Sequence, residues 1–201
     1  MKYDYPTIAR KLNQCWPDFI FNQSNLEACI ESETVAAGDF FPKFETTEFR
    51  VAIVISGVFR LYYVAQNKEV NIQFLFENDL LIDLNNHTQV NNHHFRLQAI
   101  EQTELMVIDV TKLFERRGEL FIQSGIDRFI TQTLIQITTE HLTTNLYLSG
   151  EARYSKLFEA KPEYFVRLPL YHIASYLGME KESLSRIRRT IIEKRKKIRA
   201  A

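Results

Sequence analysis

Residues 168–193 read LPLYHIASYLGMEKESLSRIRRTIIE. Apolar or small side chains fall at Ile173, Ala174, Leu177, Met179, Leu184 and Ile187, with Gly178 between two runs of helical period. That is the spacing of two short helices crossing at a tight turn, a helix-turn-helix. Ala174 is small enough for a close crossing, Gly178 can take φ > 0, and Leu184 and Ile187 bury the second helix on the first. Lys181, Ser185, Arg186 and Arg189 are then left on the outer face. A helix with such a face can enter a major groove, where guanidinium forks pair with guanine edges and the remaining groups hold phosphates. An ordinary αα-hairpin with a solvated basic face has the same apolar pattern, so the stretch favours DNA contact without requiring it.

Charge supports the same end of the chain. The 201 residues hold 25 Lys or Arg and 25 Asp or Glu, a formal net charge of zero. From Glu180 to Ala201, however, nine Lys or Arg stand against three Glu, leaving +6 there and −6 on residues 1–179. A basic end without a large apolar face fits a nucleic-acid partner better than a membrane surface. After Ile192 the tail EKRKKIRAA reads as a continuing basic helix.

Upstream, Glu151 to Phe158 forms a short helical pattern and Pro162 begins the connection to the helix-turn-helix. Before it a long pattern runs from Phe121 or Ile122 to Leu148, with Gly150 as the expected C-cap. At 1.5 Å per residue such a helix is about 40 Å long, more than a small sheet domain needs for its own packing. Ile122, Ile126, Phe129 or Ile130, Leu134 and Ile137 form one stripe, and Ile135, Leu142 and Leu146 add apolar surface beside it. One face can cover the neighbouring domain while another pairs with a second copy, so a two-fold homodimer is expected.

Further upstream the texture is β. The runs TVAAGDFF, FRVAIVIS, VFRLYYVA, EVNIQFLF, FRLQAI and ELMVIDV lie between Glu33 and Asp109, separated by turn chemistry at Gly38-Asp39, Ser56-Gly57, Gln66-Asn67-Lys68 and Glu77-Asn78-Asp79. Short strands at this spacing predict an antiparallel sandwich or roll. Residues 3–14 and a segment capped by Ser24 read as short packing helices. Cys15 and Cys29 read as small buried hydrophobes, too few and too oddly placed for a disulfide framework or an iron–sulfur site. No apolar run reaches the ~18 residues of a membrane span, and MKYDYPTIAR lacks the apolar core of a signal peptide, so a cytoplasmic protein without membrane association is expected.

Taken together, these pieces resemble the bacterial Crp/Fnr transcription regulators over nearly the whole chain. The residues that carry the resemblance are Gly38-Asp39, ISGVFRLYY from Ile55 to Tyr63, TELMVID from Thr103 to Asp109, and ARYSKLFEAKPEY from Ala152 to Tyr164, leading into the helix-turn-helix in family order. The resemblance implies an α+β fold: an antiparallel, jelly-roll-like β-roll of the cyclic-nucleotide-binding type over 1–120, a long dimerisation helix over 121–149, and a DNA-binding helix-turn-helix domain over 150–201. It implies that Lys181, Glu182 and Arg186 read the major groove, with Ser183 and Ser185 at the same surface, where the helical spacing also puts Arg189. Its partners would be double-stranded DNA, a second copy of the chain, RNA polymerase and a small effector.

Two departures matter. Winged versions of this domain continue past the recognition helix into a β-hairpin, whereas the dozen residues after Arg189 read as basic helix, so a full wing is not expected. Members that bind cyclic AMP hold it with a Gly-Glu pair and an Arg followed by small residues. Counting back from TELMVID, the carboxylate position falls near Asp83 and the arginine position near His93, with His94 and Phe95 where small residues belong. A histidine with an ordinary pKa near ~6.5 is mostly neutral at cytoplasmic pH and cannot replace a permanent guanidinium on a phosphate. Cyclic AMP is therefore not the expected effector.

His87, His93 and His94, set among asparagines, match no metal or haem ligand spacing and read as a polar loop, so no metal or other cofactor is expected. Walker-type loops, HExxH and GxSxG are absent, and nothing supports an enzyme or a catalytic residue. The alternative to a DNA-binding regulator is a small-molecule sensor or protein-interaction module that has lost specific DNA binding.

Overall fold

In the computed structural model of the chain, the described residues are 4–17, 19–41, 49–82 and 95–199, side chains being described as far as Lys194. Two short helices, α1 (Tyr5–Leu12) and α2 (Gln23–Glu27), lead into β1 (Ile30–Val35), β2 (Phe40–Phe41), β3 (Arg50–Ser56), β4 (Phe59–Ala65), β5 (Lys68–Leu75), β6 (Leu80–Ile82), β7 (Arg96–Ala99) and β8 (Thr103–Asp109). Helices follow: α3 (Val110–Leu113), α4 (Glu119–Tyr147), α5 (Gly150–Ala160), α6 (Tyr164–Arg167), α7 (Leu170–Tyr176) and α8 (Lys181–Arg199). This is the expected α+β architecture. The strands form two four-stranded sheets, β1-β8-β3-β6 and β2-β7-β4-β5. All paired neighbours described are antiparallel, with β8 central in the first sheet through Ile30↔Ile108 on one side and Val51↔Ile108 on the other.

The chain divides into two compact units, Met1–Tyr63 with Gln73–Ile135, and Val64–Ile72 with Gln136–Ala201. The core of the first is largely aliphatic and sheet-borne: Val35, Val51, Val54, Leu81, Leu105 and Ile108 are buried, with Phe59 among them. It also seats the N-terminal segment. Asp4 caps α1 by accepting from the Thr7 amide, and the chain then delivers Trp16, buried, whose indole Nε1 donates to the Phe121 carbonyl at 3.2 Å. A side chain at Gly125 would place its Cβ 2.0 Å from that Nε1, so glycine is required for the indole to lie against α4. The Phe114 ring lies tilted against Trp16, with centroids 4.7 Å apart. Cys15 and Cys29 are both buried free thiols, and burial pushes the Cys15 thiol up to about 12.

Three local expectations change. Ser24 lies inside α2, and the cap is Asn22, which sits in extended conformation and accepts from the Ser24 amide at 3.0 Å. Gly150 does not close the long helix: α4 ends at Tyr147, Ser149 caps α5 by accepting from the Ala152 amide, and Gly150 is the first residue of α5. A Cβ there would meet the Ile187 Cδ1 at 3.1 Å, so the small residue serves helix packing. The strand β6 follows the expected Glu77-Asn78-Asp79 turn, where no strand was anticipated. Asp83, His87, His93 and His94 lie outside the described residues.

Candidate nucleic-acid interface

The second unit carries the helix-turn-helix. Pro169, with ψ 139, sets an extended entry and precedes α7. At the far end the amide of Met179 donates to the Ala174 carbonyl at 3.0 Å and that of Gly178 to the Ser175 carbonyl at 3.1 Å. These two bonds make a Schellman motif, whose left-handed position is Gly178 at φ 63. The chain turns there and Glu180 supplies the first carbonyl of α8, accepting from the Leu184 amide at 3.1 Å.

The packing of α8 follows the sequence pattern. Leu184 is fully buried, Ile191 is buried and Ile187 is half-buried, while Ile173, Ala174 and Leu177 are buried on the α7 side. Lys181, Glu182, Ser185, Arg186 and Arg189 are exposed together on the other side of the helix. Ser183 is half-buried and turned toward the edge of that face. Beyond Arg189 the backbone stays helical to Arg199, where a winged domain would place strands. Lys194 ties this extension to α5 through a 2.7 Å ion pair with Glu151.

The same unit contains the tip of the β4–β5 hairpin, whose turn was expected and whose contact with α7 was not. Gln66 and Asn67 take φ 50 and 61, the two left-handed positions of a tight hairpin turn. The strand after the turn lies against α7. Asn71, 1 % exposed, has its side-chain nitrogen 3.2 Å from both His172 Nδ1 and the His172 carbonyl oxygen. The Asn71 amide donates to Ser175 Oγ at 3.0 Å, and that hydroxyl donates onward to the Glu69 carbonyl at 2.7 Å. His141 of α4 lies within hydrogen-bonding distance of the Ile72 carbonyl, at 3.3 Å, with its ring edge-on to Tyr176. Burial lowers the pKa of His141 and pushes the Tyr176 phenol up to about 12. At the surface Lys68 pairs with Glu180 at 2.7 Å, which raises the one pKa and lowers the other. Asn71 and His172 sit 101 residues apart, and no motif in either segment announces their meeting.

On α4, Ile122, Ile126 and Ile130 are buried, whereas Ile135, Leu142, Leu146 and Tyr147 are 61, 53, 71 and 81 % exposed. At 100° per residue Ile135, Leu142 and Leu146 share an arc of about 40° on the side opposite the buried stripe. Among the described residues no group of three His, Cys, Asp or Glu side chains is placed to hold a metal ion, and no helix is long and apolar enough to cross a membrane.

No family model matches the sequence, nor does any curated protein. Solved structures do. The chain is similar to FixK2 from Bradyrhizobium japonicum at 14% identity, covering 82% of this chain and 85% of that one with a TM-score of 0.64. A CooA variant from Carboxydothermus hydrogenoformans matches at 16% identity over 91% and 84% of the two chains, TM-score 0.61. The c-di-GMP-responsive global regulator CLP of Xanthomonas campestris matches at 14% over 95% and 93%, TM-score 0.59. At these identities the likeness establishes the fold, which is that of the Crp/Fnr regulators: roll, long helix and helix-turn-helix in that order along the chain.

Proposed function

We propose that this chain is a sequence-specific DNA-binding transcriptional regulator that acts as a homodimer. The observation that carries the reading is the exposed face of α8, where Lys181, Glu182, Ser185, Arg186 and Arg189 stand clear of the packing side. Arg186 would donate to a guanine edge or a phosphate, and Glu182 would accept from a cytosine amino group while complementing the positive end of the helix dipole. Ser183 and Ser185 would bond phosphates at the groove edge. The fold shared with FixK2 and CLP supports the reading. RNA polymerase is the natural protein partner of such a regulator.

The dimer is supported by the exposed Ile135, Leu142 and Leu146, whose seven- and four-residue spacing is that of a helix seam against a second copy. A two-fold dimer would set two α8 helices in successive major grooves about 34 to 36 Å apart on a roughly palindromic site. The effector position near Asp83, His93 and His94 would not hold cyclic AMP, because the residue at the guanidinium position is a histidine, which leaves another small ligand or none.

The test is selection of bound sequences from a random duplex pool by the purified protein. A palindrome with half-sites one helical turn apart is the expected result, and recovery of no motif, with or without candidate effectors, counts against it. Arg186→Ala should then cost about 1 to 3 kcal/mol and relax preference at one base pair. An equal loss on every sequence would place Arg186 on phosphate alone.

A further inference from the structure

We propose that Asn71 and His172 are positioning residues for the helix-turn-helix: a neutral imidazole at 172 holds the β4–β5 tip on α7, and protonation of that ring releases the tip and weakens specific DNA binding. The geometry fixes the protonation state. The Asn71 side-chain nitrogen carries two hydrogens and no free lone pair, and it faces both His172 Nδ1 and the His172 carbonyl oxygen. It therefore donates to both, which requires Nδ1 to be unprotonated and puts the ring proton on Nε2.

A proton added at Nδ1 sets two donors against each other across 3.2 Å. Turning the Asn71 amide over offers no repair, because the oxygen that would accept from Nδ1 would then also face the His172 carbonyl, and the carbonyl would lose its donor. Asn71 is 1 % and His172 6 % exposed, so neither mismatched group can turn to water while the tip stays docked. The least costly response is for the strand to leave α7, breaking the Asn71–Ser175 and Ser175–Glu69 bonds with it.

Among the described residues, other ionisable groups near the cluster come from the hairpin, α4, α6, which also carries Arg167, and α7. The hairpin supplies Lys68 and Glu69, α4 supplies Glu140 and His141, and α6 supplies Tyr164, whose ring lies 6.1 Å from Tyr176. On α7, Tyr171 lies 4.1 Å from the His172 ring, and Glu180 stands just ahead of α8. His141 sets no donor against a donor when it gains a second proton, since its Nε2 can still donate to the Ile72 carbonyl, but burial lowers its pKa, so its proton uptake also favours release. The docked tip leaves Lys181, Arg186 and Arg189 exposed, so it does not mask the reading face. It holds α7 in one arrangement, and the exposed Lys68–Glu180 pair adds a weak contact at the start of α8. Releasing it spreads the pair over several arrangements, only a fraction of which bind.

The consequence for DNA rests on the reading of α8 given above, and the gate itself does not. Hydrogen exchange of the Asn71 amide in the full chain therefore tests the gate alone, because its partner is Ser175 Oγ on α7. Between about pH 8 and pH 5.5, after correction for intrinsic rates, its protection should fall about tenfold or more while that of Met106 in β8 holds. Asn at 172 offers an oxygen near the Nδ1 position and does not titrate, so His172→Asn should remove most of the pH response, whereas His141→Gln should retain most of it. Protection constant within about twofold in the wild type, or an unchanged pH response in His172→Asn, overturns the gate. Affinity for the selected duplex should fall with pH in the wild type and much less in His172→Asn. A pH-dependent amide in a protein that binds no duplex at any pH would overturn the reading of α8 and leave the gate standing.

Discussion

The two halves of α4 are one helix with two different relations to the rest of the chain. From Glu119 to about Ile135 the inward side is Ile122, Gly125, Ile126 and Ile130, all buried, with Trp16 laid against Gly125 and hydrogen-bonded to Phe121. From Gln136 to Tyr147 the inward contact is His141 on the Ile72 carbonyl, and the most exposed large side chains are Leu142, Leu146 and Tyr147. A helix that completed its packing within one chain would not carry leucines at 53 and 71 % exposure on the side opposite its buried stripe. The first half buries one stripe in its own chain, with Leu120 exposed at its start; the second leaves Leu142 and Leu146 exposed, as the proposed second copy requires, and meets the hairpin through His141.

The largest effect should come from breaking the first half. In Gly125→Val the first added carbon already falls 2.0 Å from the Trp16 indole, so the indole must leave its bond to Phe121. We expect a loss of about 3 kcal/mol from overpacking, read as a lower urea midpoint at unchanged slope. Trp16 is the sole tryptophan, so its fluorescence reports the displacement directly. Thr138→Val, on the exposed side of the second half, should change stability by no more than about 0.5 kcal/mol. Equal effects at the two positions would erase the contrast.

How much of this was legible follows the same division. Local chemistry could be read: the period of Ile122, Ile126 and Ile130, the turn at Gln66-Asn67, and the Gly178 turn with Leu184 and Ile187 turned inward. Tertiary pairing could not. β1 begins at Ile30, four residues before the run that announced it, because Glu31 and Ser32 are exposed and their strand character comes from pairing with Val107 and Met106. β6 is only Leu80–Ile82, too short for alternation to register, and exists by pairing with β3. Asn22 and Ser24 both suit a cap, and only the extended backbone at Asn22 decides between them. In the candidate site the α8 face was readable from helical spacing, whereas Asn71 and His172 are an ordinary strand residue and an ordinary helix residue until the fold joins them.

The exposed half supplies the next prediction. Leu142→Asp with Leu146→Asp should weaken self-association about fiftyfold, a little over 2 kcal/mol, by sedimentation velocity. The folded monomer should lose little stability, since neither leucine is buried in the chain. A wild-type chain that remains monomeric at high concentration would sink the dimer, and a double variant that associates as tightly would move the seam elsewhere.

The smallest effect, and the sharpest test of the titratable contact, concerns His141. Burial lowers its folded-state pKa from the ordinary 6.5, ahead of the opposing influence of the Ile72 carbonyl and Glu140. The unfolded chain therefore binds a proton at this site at a pH where the folded chain does not, and stability rises with pH across that interval. The contribution is complete above the unfolded value, is lost as pH falls through it, and levels off below the folded value. His141→Gln keeps a donor for the Ile72 carbonyl without the titration, so the stability difference between wild type and variant should shift against the wild type on acidification through pH 6.5. A difference that stays constant with pH would mean that the ring is solvated in the folded chain. Gly125→Val should leave that pH-dependent difference intact, because the atoms nearest its Cβ belong to Trp16 and position 125 lies about 24 Å along α4 from His141.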